Sequence, residues 1–266
     1  MNPLSFSGLK SIAKMIGIQL VPLPETSGRI DAEQTGAFCR QEHIKGIYLI
    51  PTHHNPTTRT MTPEERRLIG DAAKKEGFLI IEDAIHQMFS SQKNPPLFSC
   101  TPQQTIYIFS ISKCISPGLR VSYLIVPSPY RKAVQNALYA VNLMVSPINL
   151  EIAGRLLTSP LLPALIEAKK RELTRRDPIV RRMLPGRRLY GEPTCQFRWL
   201  PLPPAWDNRD FERAARKNGV FVFCADRFAI GNTPPPKAVR LAVSSPRTEQ
   251  ELAQGLSIIR SLLSQK

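Results

Sequence analysis

The sequence is short of paired cysteines. Its five (Cys39, Cys100, Cys114, Cys195 and Cys224) are odd in number, widely spaced and without a C-x-x-C pair. That argues against a disulfide framework and a zinc knuckle and leaves reduced, mostly buried thiols. The four histidines, His43, His53, His54 and His86, have no H-E-x-x-H or comparable ligand spacing, so no metal site is expected. No stretch reaches the roughly 18 to 20 unbroken apolar residues of a membrane span. The first seven residues, MNPLSFS, lack a basic region ahead of an apolar core, so no secretory signal is expected and the cytoplasm is the expected location. Acidic residues are also few, 21 against 36 lysines and arginines, for a net charge of +15. Such an excess permits a phosphate-rich partner without requiring one.

Over 266 residues, 42% hydrophobic and 21% charged side chains are ordinary globular usage, enough for one large or two small domains. Much of the positive charge lies between residues 169 and 188, where Lys169, Lys170, Arg171, Arg175, Arg176, Arg181, Arg182, Arg187 and Arg188 face only Glu172 and Asp177. Leu165, Ile166, Leu173, Ile179, Val180, Met183 and Leu184 recur among them at near-helical spacing. The pattern reads as the solvated face of a long helix, kinked or broken at Asp177-Pro178, with nucleic-acid contact as the alternative.

The first 130 residues alternate between helical and strand periods. Helices are expected at 5–15, 31–40 and 62–76, strands at 18–21, 46–50, 78–81, 105–109 and 121–126. Thr62-Pro63-Glu64-Glu65 is an N-cap followed by proline and acids in the first turn, and Gly77 is a stop signal. Apolar strands alternating with helices imply a mainly parallel sheet covered on both faces. Further on, helices are expected at 130–140, 148–157 and 161–183. A compact α+β segment follows, with strands at 197–201, 220–223 and 239–243 and helices at 210–218 and 249–263. The proline-rich stretches 201–204 and 234–236 are loops or rigid connectors. There is no internal repeat.

Ligands of such sheets sit beyond the carboxyl ends of the strands. After the strand at 46–50 comes Pro51-Thr52-His53-His54-Asn55-Pro56-Thr57, and after the next come Glu82 and Asp83. After the third comes Ser110-Ile111-Ser112-Lys113, with Arg120 seven residues beyond the lysine. Each piece alone is a weak signal; an asparagine, an aspartate, Ser-x-Ser-Lys and an arginine in that order are a specific one.

On these residues the chain resembles the fold-type I pyridoxal-phosphate aminotransferases, and in particular the aminotransferase-like domain of the MocR subgroup of GntR-type regulators. The likeness runs over nearly the whole sequence, from the N-P-x-x-F-x-G opening (Asn2 to Gly8) to Ala238-Val239-Arg240-Leu241, and S-x-S-K-x-x-x-P-G-x-R is its most specific part. It implies an α/β fold with a partial large cofactor-binding domain (1–160), a connecting helix (161–184) and a C-terminal α+β small domain (185–266). The implied cofactor is pyridoxal 5'-phosphate, with an amino acid and a 2-oxo acid as substrates. Lys113 would join the cofactor aldehyde as a Schiff base and shuttle the proton, and Asp83 would pair with the pyridinium nitrogen. Asn55 would hydrogen-bond the phenolate oxygen, while Ser110, Ser112 and Arg120 would hold the phosphate. Arg240 would clamp the α-carboxylate; its alternative reading is a surface arginine on an edge strand. A homodimer with 130–157 near the interface is implied, and nucleic-acid binding is not expected from this chain alone.

The departures from the family pattern are specific. His86 stands three residues after Asp83, where a tyrosine is usual; it too can donate to the phenolate oxygen, but its charge varies near neutral pH. His54 replaces the usual glutamine before Asn55-Pro56, where it is either functional or turn-lining, and Cys195-Gln196 replaces a Gly-Gly. The long segment that precedes the Asn-Pro opening in the family, with its phosphate-binding helix N-terminus, ring-stacking aromatic and first strand, has no counterpart in the sequence. A truncated or split member with weakened cofactor affinity is therefore expected. Three functions remain open: a transaminase, an effector module that binds the cofactor or its amino-acid adduct without turnover, and a remnant with the fold alone.

Overall fold

The computed structural model describes residues 1–26, 28–232 and 234–265. In chain order the elements are α1 (Ser7–Met15), β1 (Glu25–Thr26), β2 (Arg29–Ile30), α2 (Ala32–Gln41), β3 (Gly46–Leu49), α3 (Pro63–Glu76), β4 (Leu79–Asp83), α4 (Leu97–Cys100), β5 (Thr105–Ser110), β6 (Ser122–Ile125), α5 (Ser128–Asn142), α6 (Pro147–Thr158), α7 (Leu161–Met183), β7 (Phe197–Pro201), α8 (Asn208–Lys217), β8 (Phe223–Cys224), β9 (Ala238–Ala242) and α9 (Glu249–Ser264). They fall into two compact units, each discontinuous in sequence. One comprises Met1–Pro22, His53–Arg59 and Lys170–Lys266; the other comprises Leu23–Thr52 and Thr60–Lys169.

The second unit is built on the sheet β3-β4-β5-β6. The first three strands run parallel, while β6 returns antiparallel to β5. That turnaround has a simple cause: the eleven residues between β5 and β6 are too few for a crossover to a parallel neighbour. The register settles which side chains share a face. Tyr48 lies opposite Ile81, Asp83 opposite Ile108 and Ser110 opposite Ser122. Because side chains alternate, Tyr48, Asp83 and Ser110 project from one face, and Ile47, Leu49, Ile80 and Glu82 from the other. On that other face Ile47, Leu49 and Ile80 join a core with Cys39 of α2, Ile69 and Ala73 of α3, and Leu97 of α4.

Helix α3 starts where its sequence directs. Thr62 accepts the Glu65 N–H, and the Glu65 carboxylate accepts the Thr62 N–H, a reciprocal capping box. Gly77 ends it at φ 76°, in the left-handed region where only glycine is unstrained.

In the first unit the antiparallel sheet β7-β9-β8 carries α8 and α9, and the N-terminal segment bonds to the 228–230 stretch. Ser5 N–H reaches Phe228 O at 2.9 Å, and Ile230 N–H reaches Pro3 O at 2.8 Å. No strand forms at 18–21. There the chain leaves α1 through Gly17 (φ 70°), with Ile18 N–H bonded back to Ala13 O at 2.8 Å, and Pro22 and Pro24 withhold ladder donors. Strand β8, Phe223–Cys224, likewise overlaps the expected 220–223 strand only at Phe223.

Helix α7 neither breaks nor ends at Pro178. Asp177 is tied by two strong partners, Arg198 Nη2 at 2.7 Å and Arg181 Nε at 2.7 Å. Leu173, Ile179, Val180 and Leu184 are buried beside it, and this packing offsets the roughly 3 kcal/mol that an interior proline costs. Of the basic cluster, Arg171, Arg175, Arg181 and Arg182 are exposed as a solvated face would be. Arg176 is buried instead, donating to Val243 O at 2.7 Å and pairing with Glu172.

All five cysteines are free, and the described residues contain no cluster of metal-ligating side chains. No helix among them is long and apolar enough to cross a membrane.

Candidate active site

In the β3–β6 unit the chemistry-bearing residues lie at the carboxyl ends of β4 and β5. Asp83, the last residue of β4, is 9% exposed. Its Oδ1 accepts the Ile85 N–H at 3.2 Å and its Oδ2 accepts the Tyr48 hydroxyl at 2.5 Å. Burial pushes its pKa above the usual carboxylate range, opposed by those two hydrogen bonds and by the positive charge of Lys113. The phenol of Tyr48 is pushed up in turn, by burial and then by the Asp83 charge, so it remains a neutral donor.

Ser110 ends β5. Its Oγ lies 2.9 Å from Ser112 Oγ and 3.0 Å from Val121 O, and it accepts the Ser112 N–H at 3.2 Å. The contact with Val121, the residue after Arg120, returns the backbone to the end of β5. The short turn Pro117–Leu119 makes the return possible, with Ser116 Oγ accepting the Gly118 N–H at 3.2 Å and Arg120 itself in the left-handed region at φ 53°. Lys113 is half-buried and Arg120 exposed. His86 is buried at 2% exposure, at the start of the single helical turn Gln87–Phe89.

Behind the sheet, Glu82 and Arg66 brace the loops from which these residues emerge. Glu82 accepts the Leu97 and Phe98 N–H groups at 3.1 and 2.8 Å. Arg66, 1% exposed, donates to Pro51 O, Thr52 Oγ1, Met61 O and Pro95 O. Glu82 thus serves structure and Asp83 the open face, a division that adjacent acids in sequence do not reveal.

The other unit holds Asn55 and Arg240. Arg240 lies on β9, the middle strand of its sheet, which removes the edge-strand reading. Its Nη1 donates to Asn55 Oδ1 at 2.6 Å. Its guanidinium carbon sits 4.5, 5.0 and 5.4 Å from the ring centroids of Phe197, Phe228 and Phe223. No carboxylate pairs with it among the described residues, and its Nε is buried without a hydrogen-bond partner. Burial lowers its pKa to about 10. The group is a desolvated cation with donor capacity to spare, which is what a carboxylate needs.

The loop carrying Asn55 is fastened on both sides. His54 Nδ1 bonds Thr57 Oγ1 at 2.8 Å within the turn, and burial, helped by Arg59, lowers its pKa to about 3, so this histidine is a neutral turn-lining residue. His53, 1% exposed, lies 3.3 Å from Glu192 Oε2. Burial opposes its charge, but Cys195 and Glu192 outweigh burial and raise its pKa from 6.5 to about 9. The folded protein therefore holds a proton that the unfolded chain releases between those values. Its contribution to stability is full below pH 6.5 and is lost as pH rises to about 9. Denaturant titrations at pH 6 and 9.5 should show that loss, and His53→Gln should flatten it.

The sequence-level site residues thus form two groups, Asp83, His86, Ser110, Ser112, Lys113 and Arg120 in one unit and Asn55 with Arg240 in the other. Reading the sequence alone missed Tyr48, which stood inside an apolar run, and Arg66, which looked like one charge among several on α3.

The family described as aminotransferase class I and II matches residues 1–259. An uncharacterized HTH-type transcriptional regulator of Bacillus subtilis, YdeF, is 40% identical over 97% of this chain and 56% of its own length. A 2-aminoadipate transaminase of Thermus thermophilus is 26% identical over 85% of this chain and 60% of its own. The chain therefore spans little more than half the length of these curated relatives. Among solved structures, the α-aminoadipate aminotransferase LysN of Thermus thermophilus, complexed with N-(5'-phosphopyridoxyl)-L-leucine, superposes with a TM-score of 0.85 at 20% identity, covering 99% of this chain and 70% of that one. The fold is that of the fold-type I aminotransferases.

Proposed function

The chain belongs to the class I and II aminotransferases, and from that premise we propose that it binds pyridoxal phosphate and exchanges an amino group between an amino acid and a 2-oxo acid. The observation that carries the reading is Asp83: a buried carboxylate hydrogen-bonded at both oxygens, in the field of Lys113 and on the same sheet face as Ser110. The donor set fits the cofactor, with an acceptor for a protonated ring nitrogen, an amine for an aldehyde, and hydroxyls with an arginine for a phosphate. When bound, pyridoxal phosphate supplies an aldehyde that exchanges amines and a ring that withdraws electrons from the α-carbon.

The residues divide the remaining work. Lys113 would hold the cofactor through its amine at the aldehyde, and its Nζ is the group that would carry the proton. Asp83 keeps the ring nitrogen protonated. On the family pattern Asn55, whose Oδ1 accepts from Arg240, would offer its Nδ2 to the phenolate oxygen, and His86 has a ring N–H of the same donor type. Ser110, Ser112 and Arg120 bind the phosphate, and Arg240 binds the α-carboxylate.

A second copy of the chain is the expected partner. No residue of α5 is buried, and Leu138, Tyr139 and Val141 on α5, Leu143 and Met144 in the turn after it and Ile148 at the start of α6 are all exposed. So much contiguous apolar surface marks an interface.

The likeness to YdeF favours a second reading, an effector module of a MocR-type regulator that binds cofactor and amino acid without turnover. Both readings are tested by adding pyridoxal phosphate to the purified chain, recording its visible spectrum, and then supplying amino acids singly with a 2-oxo acid. A new visible band with sustained 2-oxo acid product supports the transaminase. A band that an amino acid perturbs without product supports the effector module. No band at saturating cofactor overturns both.

A further inference from the structure

Asp83 is the residue on which the cofactor reading turns, yet its own side chain does not fix its orientation: a carboxylate at the end of a strand can rotate about χ2. The structure supplies two fixings. One is the Ile85 N–H on Oδ1, a local turn contact. The other comes from a different strand, the Tyr48 hydroxyl on Oδ2 at 2.5 Å. Tyr48 sits on β3 opposite Ile81, two residues before Asp83, so the pair is diagonal across adjacent parallel strands. Diagonal neighbours are about 7–8 Å apart at the backbone, a span that a phenol bridges and a serine or threonine does not. The bond is short and charge-assisted, and the phenol is half-buried on the same face as Asp83 and Ser110.

We propose that Tyr48 is a positioning residue: it holds Oδ2 of Asp83 in one orientation, as a hydrogen-bonded acceptor, for the protonated ring nitrogen of the cofactor. The inference rests on the cofactor reading above and adds a residue to it. Each carboxylate oxygen has two acceptor sites, so the Tyr48 bond leaves one on Oδ2 for the ring. The bond also draws electron density from the carboxylate, which makes Asp83 a weaker competitor for the ring's proton. A phenylalanine at 48 would keep the shape and lose both effects.

The test is nitrogen NMR of pyridoxal phosphate labelled with ¹⁵N in its ring, bound to the full chain, in the wild type, Tyr48→Phe, Asp83→Asn and the double variant. In Tyr48→Phe the ring nitrogen signal should move from the protonated toward the unprotonated position. The loss of one hydrogen bond to a charged group should change the proton-sharing ratio by about 10- to 100-fold. In the Asp83→Asn background the same substitution should move nothing, because Tyr48 acts through that carboxylate. 3,5-Difluorotyrosine at position 48 keeps the ring in place, donates more strongly and should move the signal the opposite way; it decides the matter if Tyr48→Phe fails to fold. An unmoved signal in Tyr48→Phe or the difluoro variant, or an equal shift with Asp83 absent, overturns the role of Tyr48 while leaving cofactor binding intact. No bound signal in the wild type overturns the cofactor reading, and the role of Tyr48 with it.

Discussion

Lys113→Ala should abolish covalent retention of pyridoxal phosphate and reduce 2-oxo acid formation by at least 10²- to 10⁴-fold, the range contributed by a positioned proton-transfer group. Lys113 lies three residues beyond β5, on the turn whose start is held by the Ser110–Ser112 and Ser110–Val121 contacts. It is half-buried, and its charge is felt at Asp83. Alanine at 113 leaves Asp83, Ser110, Ser112 and Arg120 untouched, so non-covalent binding should survive with reduced affinity. Borohydride treatment followed by mass spectrometry separates the two states: the cofactor should stay on the wild type and wash off the variant. A small primary amine such as methylamine should restore part of the turnover, because it supplies the missing amine without the tether. If the variant retains the cofactor covalently, another amine carries the linkage and the assignment of Lys113 is wrong.

How much of this was legible in the sequence depends on whether the cause was local. Thr62, Glu65 and Gly77 fix the ends of α3 through bonds within four residues, and the reading of 62–76 matches Pro63–Glu76. The bounds of α7 and β7 were legible for the same reason, as abrupt changes in hydrophobic period. What escaped depends on pairing at a distance. The reversal of β6 is a constraint of loop length against sheet geometry. The survival of α7 through Pro178 depends on Arg198, twenty-one residues away, filling the side of Asp177. The strand-like pattern at 18–21 lost to Gly17 and two prolines whose effect is to keep that segment irregular.

The candidate site divides in the same way. Asp83 and Ser110 announce themselves because each closes an apolar strand, and Lys113 and Arg120 because they follow in the loop after the second. Tyr48 does not, since an aromatic in an apolar run has the same pattern whether it packs or donates. Only the β3–β4 register places its hydroxyl on Asp83. His53 and Glu192, 139 residues apart, carry no sequence signal of their meeting.

Arg240 allows the sharpest separation of function from fold, because substrate affinity should fall while stability stays nearly unchanged. Its guanidinium is desolvated and faces no carboxylate among the described residues; three phenyl rings and one amide oxygen are its company. Cation–π contacts contribute about 0.5–2 kcal/mol each, against several kcal/mol for taking a charge out of water. An arginine in that balance is nearly neutral to the fold until an anion arrives. Arg240→Met fills similar volume, keeps sulfur–aromatic contacts and removes the uncompensated charge. Its stability in urea should stay within about 1 kcal/mol of wild type, since replacing buried charge by apolar volume is commonly neutral or stabilising. Affinity for amino acids and 2-oxo acids should fall by about 10- to 150-fold, the cost of one lost bidentate charge-assisted contact. Arg240→Lys should recover only part of it, because an ammonium lacks the planar fork. A methionine variant that loses stability and binds carboxylates as before would make Arg240 a structural keystone and move the substrate anchor elsewhere.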